Sequence, residues 1–250
     1  MVKTVFFTFL FSVFFSVILL ADKDIPVQRD IGIFENLGAV IPDDIFFYDE
    51  TGKKVNVREI LSKAPTIIAP VYFTCPNVCN ILQSSLANII PEISLKPGED
   101  YQVISASFDE YDTFEIAKSK KRNFMAAMDY KFPEDNWKFL TSDKENIKKL
   151  MDSIGFKFRR QGKDFIHSVV VVAVSRDGKI VRYVYGTRIL PFDLTMSLVE
   201  AQKGEVGLSV KRVLSYCFSY DPSGKRYVFN VMKVSGTLIL SGLFIMFLVL

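Results

Sequence analysis

The sequence predicts an α/β domain on a central mixed β-sheet flanked by helices, with an apolar segment at each end of the chain. Three observations carry that expectation. Short runs rich in β-branched and aromatic residues alternate with helical patterns from Ile45 onward. The last two such runs are separated by a tight turn, as in a hairpin. Two uncharged stretches, Val5 to Ala21 and Val234 to Leu250, bracket the whole.

The elements follow in order. Ile45 to Tyr48 and Val55 to Val57 flank the turn-forming Asp49-Glu50-Thr51-Gly52 and predict a hairpin. Thr66 to Phe73, TIIAPVYF, lies between Pro65 and a Thr-Cys-Pro step and reads as a buried strand. Val78, Ile81, Leu82, Leu86, Ile89 and Ile90 then recur at helical spacing until Pro91. Tyr101 to Ser107 is the next strand, and Asp112-Thr113-Phe114-Glu115 opens a helix with a capping pattern. Trp137 to Leu140 is a short strand, followed by a helix from the Ser142 to Glu145 capping box to Gly155. Ser168 to Val174 turns through Arg176-Asp177-Gly178 into Lys179 to Tyr185. Pro191 to Ala201 and Val206 to Leu214 are expected to close the domain as helices.

With 31 Lys and Arg against 28 Asp and Glu, the chain carries a formal net charge of +3. That balance, with 49% hydrophobic residues, excludes a disordered chain and offers no cationic excess for nucleic acid. The N-terminal run follows Lys3 and ends at Ala21 before Asp22-Lys23-Asp24, the layout of a secretory signal or an uncleaved anchor. Val234 to Leu250 has no polar face and reads as a transmembrane helix near the lower length limit. The expected organisation is therefore residues 1–21 as signal or anchor, 22–215 as one domain, 216–233 as a juxtamembrane linker and 234–250 as the membrane segment. No transit-type presequence is present, so the simplest placement is the bacterial inner membrane with the domain facing the periplasm. That compartment is oxidising and permits disulfides.

Cys/His chemistry has few parts to draw on, because the chain holds three cysteines and one histidine. Cys75 and Cys79, in TCPNVCN, sit where the buried strand gives way to a helix. Backbone N–H groups and the helix dipole there favour thiolate over thiol, and Pro76 suits the first turn. The pair can close as a disulfide or chelate one metal ion. His167 immediately precedes the SVVVVAV strand. By position alone it is a core histidine or a ligand at the strand edge; two thiolates with one imidazole suit Cu(I), allow Cu(II), and take zinc if a fourth ligand arrives. Cys217, in YCFSYDP, is the odd cysteine, and Met125 and Met128 read as core packing beside Phe124. Lys118, Lys120, Lys121 and Arg122 read as a solvated helix face. No Walker loop, dinucleotide fingerprint or Ser/His/Asp set is visible.

From about Asp44 to Tyr185 the chain resembles the Sco/SenC copper proteins that assist assembly of the copper-A centre of cytochrome c oxidase. The resemblance rests on VYFTCPNVCN, SFDEYDT opening a helix, WKFLTSDKENIKKLMDSIGFKF, and IHS leading into VVVVAVSRDGKIVRYVYG. It implies a thioredoxin-like fold, Cys75, Cys79 and His167 as copper ligands, and redox cycling of the two thiols. Asp109 and Asp112 match the family's acidic turn, Asp112 mainly as a helix cap and Asp109 as a possible outer contact of the site. Two departures stand out: Ile166 occupies the place where many members have Asp, and the expected anchor is C-terminal instead of N-terminal. The resemblance implies a copper ion as cofactor, an apo copper-A subunit or another copper acceptor as partner, and periplasmic thiol-disulfide partners. The other reading open to the sequence is a thiol:disulfide oxidoreductase using Cys75 and Cys79.

Overall fold

The computed structural model describes residues 31–128, 130–207, 218–221, 226–229, 235–236, 239–240, 242–243 and 245–246. Its centre is a five-stranded mixed sheet. β1 (Gly32–Ile33) is a two-residue strand, and β2 (Phe46–Tyr48) and β3 (Lys54–Asn56) form the first hairpin, continued by the short α1 (Val57–Leu61). β4 (Thr66–Val71), α2 (Val78–Ile89), β5 (Gln102–Ser107), α3 (Phe114–Ala127), β6 (Trp137–Leu140) and α4 (Lys144–Ser153) follow as alternating elements. Next come the two-residue β7 (Phe156–Lys157) and a hairpin of β8 (Arg159–Gln161) and β9 (Asp164–Ile166). β10 (Val170–Val174), β11 (Ile180–Tyr185) and α5 (Pro191–Lys203) complete the domain. A separate antiparallel pair, β12 (Phe218–Asp221) and β13 (Arg226–Phe229), falls in the stretch expected as a linker.

The sheet order is β11-β10-β4-β5-β6. β4, β5 and β6 run parallel, while β10 is antiparallel to both β4 and β11. Every residue of β4, β5 and β10 is buried, which is why β4 and β10 read as nearly continuous apolar runs and not as alternating patterns. Polar side chains of the central strands are paired: Gln102 Nε2 donates to the Ile60 carbonyl at 2.6 Å and to Thr66 Oγ1 at 2.9 Å, and Trp137 Nε1 donates to Ser105 Oγ at 3.0 Å.

This topology decides where the chemistry lies. Since Val172 faces Ile68 and Val174 faces Thr66 in antiparallel register, the chain enters β10 at the carboxyl end of β4. Cys75 after β4, the Phe108 to Asp112 turn after β5, and His167 before β10 therefore share one end of the sheet.

Three expectations are corrected by one or a few residues. Thr113, not Asp112, is the N-cap of α3, its side chain accepting from the Ile116 N–H. Asp143, not Ser142, caps α4; Ser142 Oγ instead donates to the Phe46 carbonyl at 2.7 Å. Lys121 is no part of a solvated face: it is buried, with Nζ 2.5 Å from Glu50 Oε1, whose other oxygen accepts from the Phe139 N–H at 3.1 Å. Lys118 and Arg122 are exposed as expected, and Met128 packs in the core with Met125 against it.

Residues 206–207 are not helical, and the remainder of the expected closing helix to Leu214 lies outside the described residues, as do Cys217 and residues 1–21. Within 234–250 the described residues are helical, and Ile239 and Ile245 are exposed. Among the described residues, no helix is long and apolar enough to cross a membrane.

Candidate metal centre

The strand-to-helix link Tyr72 to Val78 brings Cys75 and Cys79 together as buried, unbridged thiols. The Asn77 side chain does not cap α2. The Cys75 sulfur does so in its place, accepting from the Asn77 and Cys79 N–H groups at 3.4 Å each. Orphan donors of the helix start thus point at sulfur, where they stabilise negative charge. Asn80 Nδ2 donates to the Cys75 carbonyl at 2.8 Å, and its Oδ1 accepts from Lys120 Nζ at 3.0 Å, pinning the loop to α3.

The two thiols are electrostatically unlike. Burial works against ionising Cys75, yet the Asn77 and Cys79 N–H groups, the Tyr72 hydroxyl and the Cys79 thiol hold it below the ordinary thiol value. Burial pushes Cys79 well above that value, and the nearby Cys75 and Asp112 charges add to the effect. The site therefore favours ionisation of Cys75 over that of Cys79.

His167 is half-buried against an aromatic wall. Its ring lies 5.1 Å from Phe108, 5.9 Å from Tyr72 at 87°, and 6.1 Å from Phe156. Nδ1 is 2.8 Å from the Ser168 carbonyl oxygen, which can only accept, so Nδ1 carries the hydrogen and Nε2 keeps its lone pair. Burial holds the imidazole below its ordinary pKa, with the Ser168 carbonyl opposing, and so keeps it neutral. That carbonyl fixes the tautomer of the His167 imidazole.

The two acidic-turn residues take different positions. Asp112 reaches back to the strand end, where Oδ2 accepts from the Phe73 N–H at 2.5 Å and from Ser107 Oγ at 2.6 Å. Its Oδ1 is buried without a hydrogen-bond partner. Asp109 accepts from the Tyr111 N–H at 3.0 Å and pairs with Arg160 of β8.

Burial, aided by Asp109, holds the Asp112 carboxyl above its ordinary 3.8 despite the bonds from Ser107 and Phe73. The folded chain therefore keeps this proton longer than the unfolded chain, and loses stability as pH rises from the ordinary value through the folded one. Asp112→Asn removes that loss. Urea titrations of both proteins between about pH 3 and pH 7 should show wild-type stability falling relative to the variant as pH rises; a constant difference contradicts the assignment.

Among the described residues, no three His, Cys, Asp or Glu side chains stand together as a set able to hold a metal ion. The structure unites Cys75 and Cys79, and brings the His167 imidazole against the ring of Tyr72, three residues before Cys75. By kind the donors suit a soft ion: a stabilised thiolate, a second thiol and a neutral imidazole with Nε2 free. Sequence reasoning gave no role to Tyr72, Asn80 or Arg160, although the VYFTCPNVCN motif contains the first two.

A family model described as SCO1/SenC matches residues 41–196, a span that contains Cys75, Cys79, Asp109, Asp112 and His167. The chain belongs to the SCO1/SenC family. Among solved structures, it is similar to a candidate electron transfer protein from Aquifex aeolicus VF5 at 33% identity and TM-score 0.60, covering 68% of this chain and 96% of that one. Copper-bound ScoI of Arabidopsis thaliana matches at 22% identity and TM-score 0.53, over 64% and 96% of the two chains. The Bacillus protein BsSco, of the Sco family of cytochrome c oxidase assembly proteins, matches at 20% and TM-score 0.51, over 68% and 98%. The last two likenesses establish the shared fold, the thioredoxin-like arrangement of a mixed sheet flanked by helices. No curated protein matches the chain.

Proposed function

We propose that this SCO1/SenC protein is a copper chaperone that carries one copper ion on Cys75, Cys79 and His167 and hands it to the copper-A subunit of an apo cytochrome c oxidase. The observation that carries the reading is the state of the donors. Cys75 is stabilised as thiolate and His167 is neutral with Nε2 free, so two of three donors need little proton loss before meeting a soft cation. Copper is cargo here. Its release proceeds by exchange of these ligands for the soft ligands of the acceptor, and Cys79, the most weakly ionised donor, is the first to regain its proton. We place the domain on the periplasmic face of a bacterial inner membrane, held by residues 234–250. The uncharged run and the oxidising compartment expected of a paired-cysteine protein support that placement.

The inequality of the two thiols supports a second activity of the same pair. The Cys75 thiolate attacks a target disulfide, forming a mixed disulfide and expelling one target thiolate. Cys79 then loses its proton and attacks the Cys75 sulfur, closing the Cys75–Cys79 disulfide and releasing the second target thiolate. The target gains two electrons and the pair loses two. Preparing an acceptor's cysteines for copper requires this reaction.

Copper retention by the reduced full chain in detergent, without oxygen, tests the first reading. One ion per chain is expected, lost on Cys75→Ser or Cys79→Ser and weakened on His167→Ala. No retained copper beside a readily cycling dithiol would replace the chaperone with the oxidoreductase.

A further inference from the structure

His167 is carried on an element with little intrinsic stability. It follows β9 directly, and β8–β9 is a hairpin of three residues a side with Gly162 and Lys163 exposed at its tip. Two strands of that length do not hold together in water unaided. Phe165 of β9 is buried against Tyr72, Phe108 and Phe158, and the polar part of the anchoring is found on Arg160, which pairs across the hairpin with Phe165. Its guanidinium lies 4.3 Å from the Phe165 ring centre and 4.8 Å from that of Tyr111. Nη2 donates to Asp109 Oδ1 and, at 3.0 Å, to Glu110 Oε2. A planar guanidinium stacks on two rings while one of its nitrogens meets two carboxylates, a combination the compact ammonium of lysine reproduces only in part.

The bonds continue inward. Ser107 Oγ accepts from the Asp109 N–H at 3.1 Å and donates to Asp112 Oδ2, which in turn accepts from the Phe73 N–H two residues before Cys75. Arg160 thus begins a continuous chain of polar contacts from the imidazole-bearing hairpin, through the acidic turn, to the thiol-bearing strand end. We propose that Arg160 is the positioning residue of this site, latching the β8–β9 hairpin to the Asp109–Glu110 turn and so holding His167 at the sheet end where Cys75 and Cys79 lie. The latch gives Asp109 its role: it anchors the hairpin that carries the imidazole and does not face the thiols. The consequence for copper rests on the reading of His167 as a ligand; the latch itself does not.

The test separates the two. In the reduced, metal-free full chain, Arg160→Met is expected to speed amide hydrogen exchange at residues 159–167 by about tenfold or more, leaving β4, β5 and β10 unchanged. Arg160→Lys, with charge but no planar face for the two rings, should recover only part of the protection. Copper affinity of Arg160→Met should fall about 10- to 100-fold, the usual range for losing a group that orients a ligand. Added to His167→Ala, the same substitution should cost nothing further. Unchanged exchange over 159–167 overturns the latch. An equal affinity loss in the His167→Ala background overturns positioning in favour of general destabilisation. Faster hairpin exchange in Arg160→Met, with copper held equally well by wild type and His167→Ala, upholds the latch and removes the imidazole from the copper reading. If Arg160→Met does not fold, Glu110→Ala removes one acceptor of the Arg160 guanidinium and should shift exchange in the same direction by less; no shift overturns the proposal.

Discussion

Cys75→Ser will abolish dithiol exchange, while Cys79→Ser will leave a chain that captures its target as a lasting mixed disulfide. The asymmetry of the pair dictates this. The Cys75 sulfur receives two backbone N–H groups at the helix start, whereas Cys79 is buried, with its pKa driven upward by burial and by its neighbours. Only the first can attack at neutral pH; the second resolves the intermediate once Cys75 no longer carries charge. A brief pulse of iodoacetamide near pH 7 on the reduced chain should alkylate Cys75 at least about 100-fold faster than Cys79, read by peptide mass spectrometry. The sign with pH follows from the depressed Cys75 pKa. Reactivity should persist below the ordinary thiol range and fall tenfold per unit only once the pH drops beneath the folded value. Equal labelling, or Cys79 labelled first, would remove the division of labour between attacking and resolving thiols.

The same asymmetry shows what the sequence could and could not disclose. That a reactive pair lies at a strand-to-helix junction was legible, because TIIAPVYF is a run only a two-face-buried strand would carry and Pro76 marks the helix start. Which cysteine is the thiolate was not, since that depends on which sulfur caps the helix and which sinks beneath it. The β8–β9 hairpin was missed for a related reason. Arg159-Arg160-Gln161-Gly162-Lys163-Asp164 has no alternating apolar face, and what stabilises it comes from Asp109, Glu110 and Tyr111, some fifty positions earlier. Lys121 misread as solvated teaches the same point, its partner Glu50 being 71 residues away. Cap positions slipped by one residue at both Thr113 and Asp143 because adjacent capping-type side chains compete, and the winner is set by what else the loser can bind. Asp112 is drawn to the Phe73 N–H and Ser142 to the Phe46 carbonyl.

Phe108 is the side chain whose loss should cost the fold most while also disturbing the site. It is fully buried at the end of β5, and its ring centre lies within 5.4 Å of those of Tyr72, Phe156, Phe158, Phe165 and His167. Phe108→Ala removes the common neighbour of all five. The expected destabilisation is about 3–5 kcal/mol, from lost transfer free energy and from a cavity that rings held by β4, β7, the β8–β9 hairpin and the His167 loop cannot collapse to fill. Urea denaturation should show a lower midpoint with an unchanged slope. The same change unseats the wall against which the imidazole rests, so copper affinity should fall as well. Phe124→Ala supplies the control. Phe124 packs against Trp137 and Phe139, with ring centres 6.5 and 6.3 Å away. It should lose stability by a comparable mechanism and retain copper as wild type does. If both variants lose copper in proportion to their loss of stability, the aromatic wall acts only as core, and the placement of His167 rests on the hairpin alone.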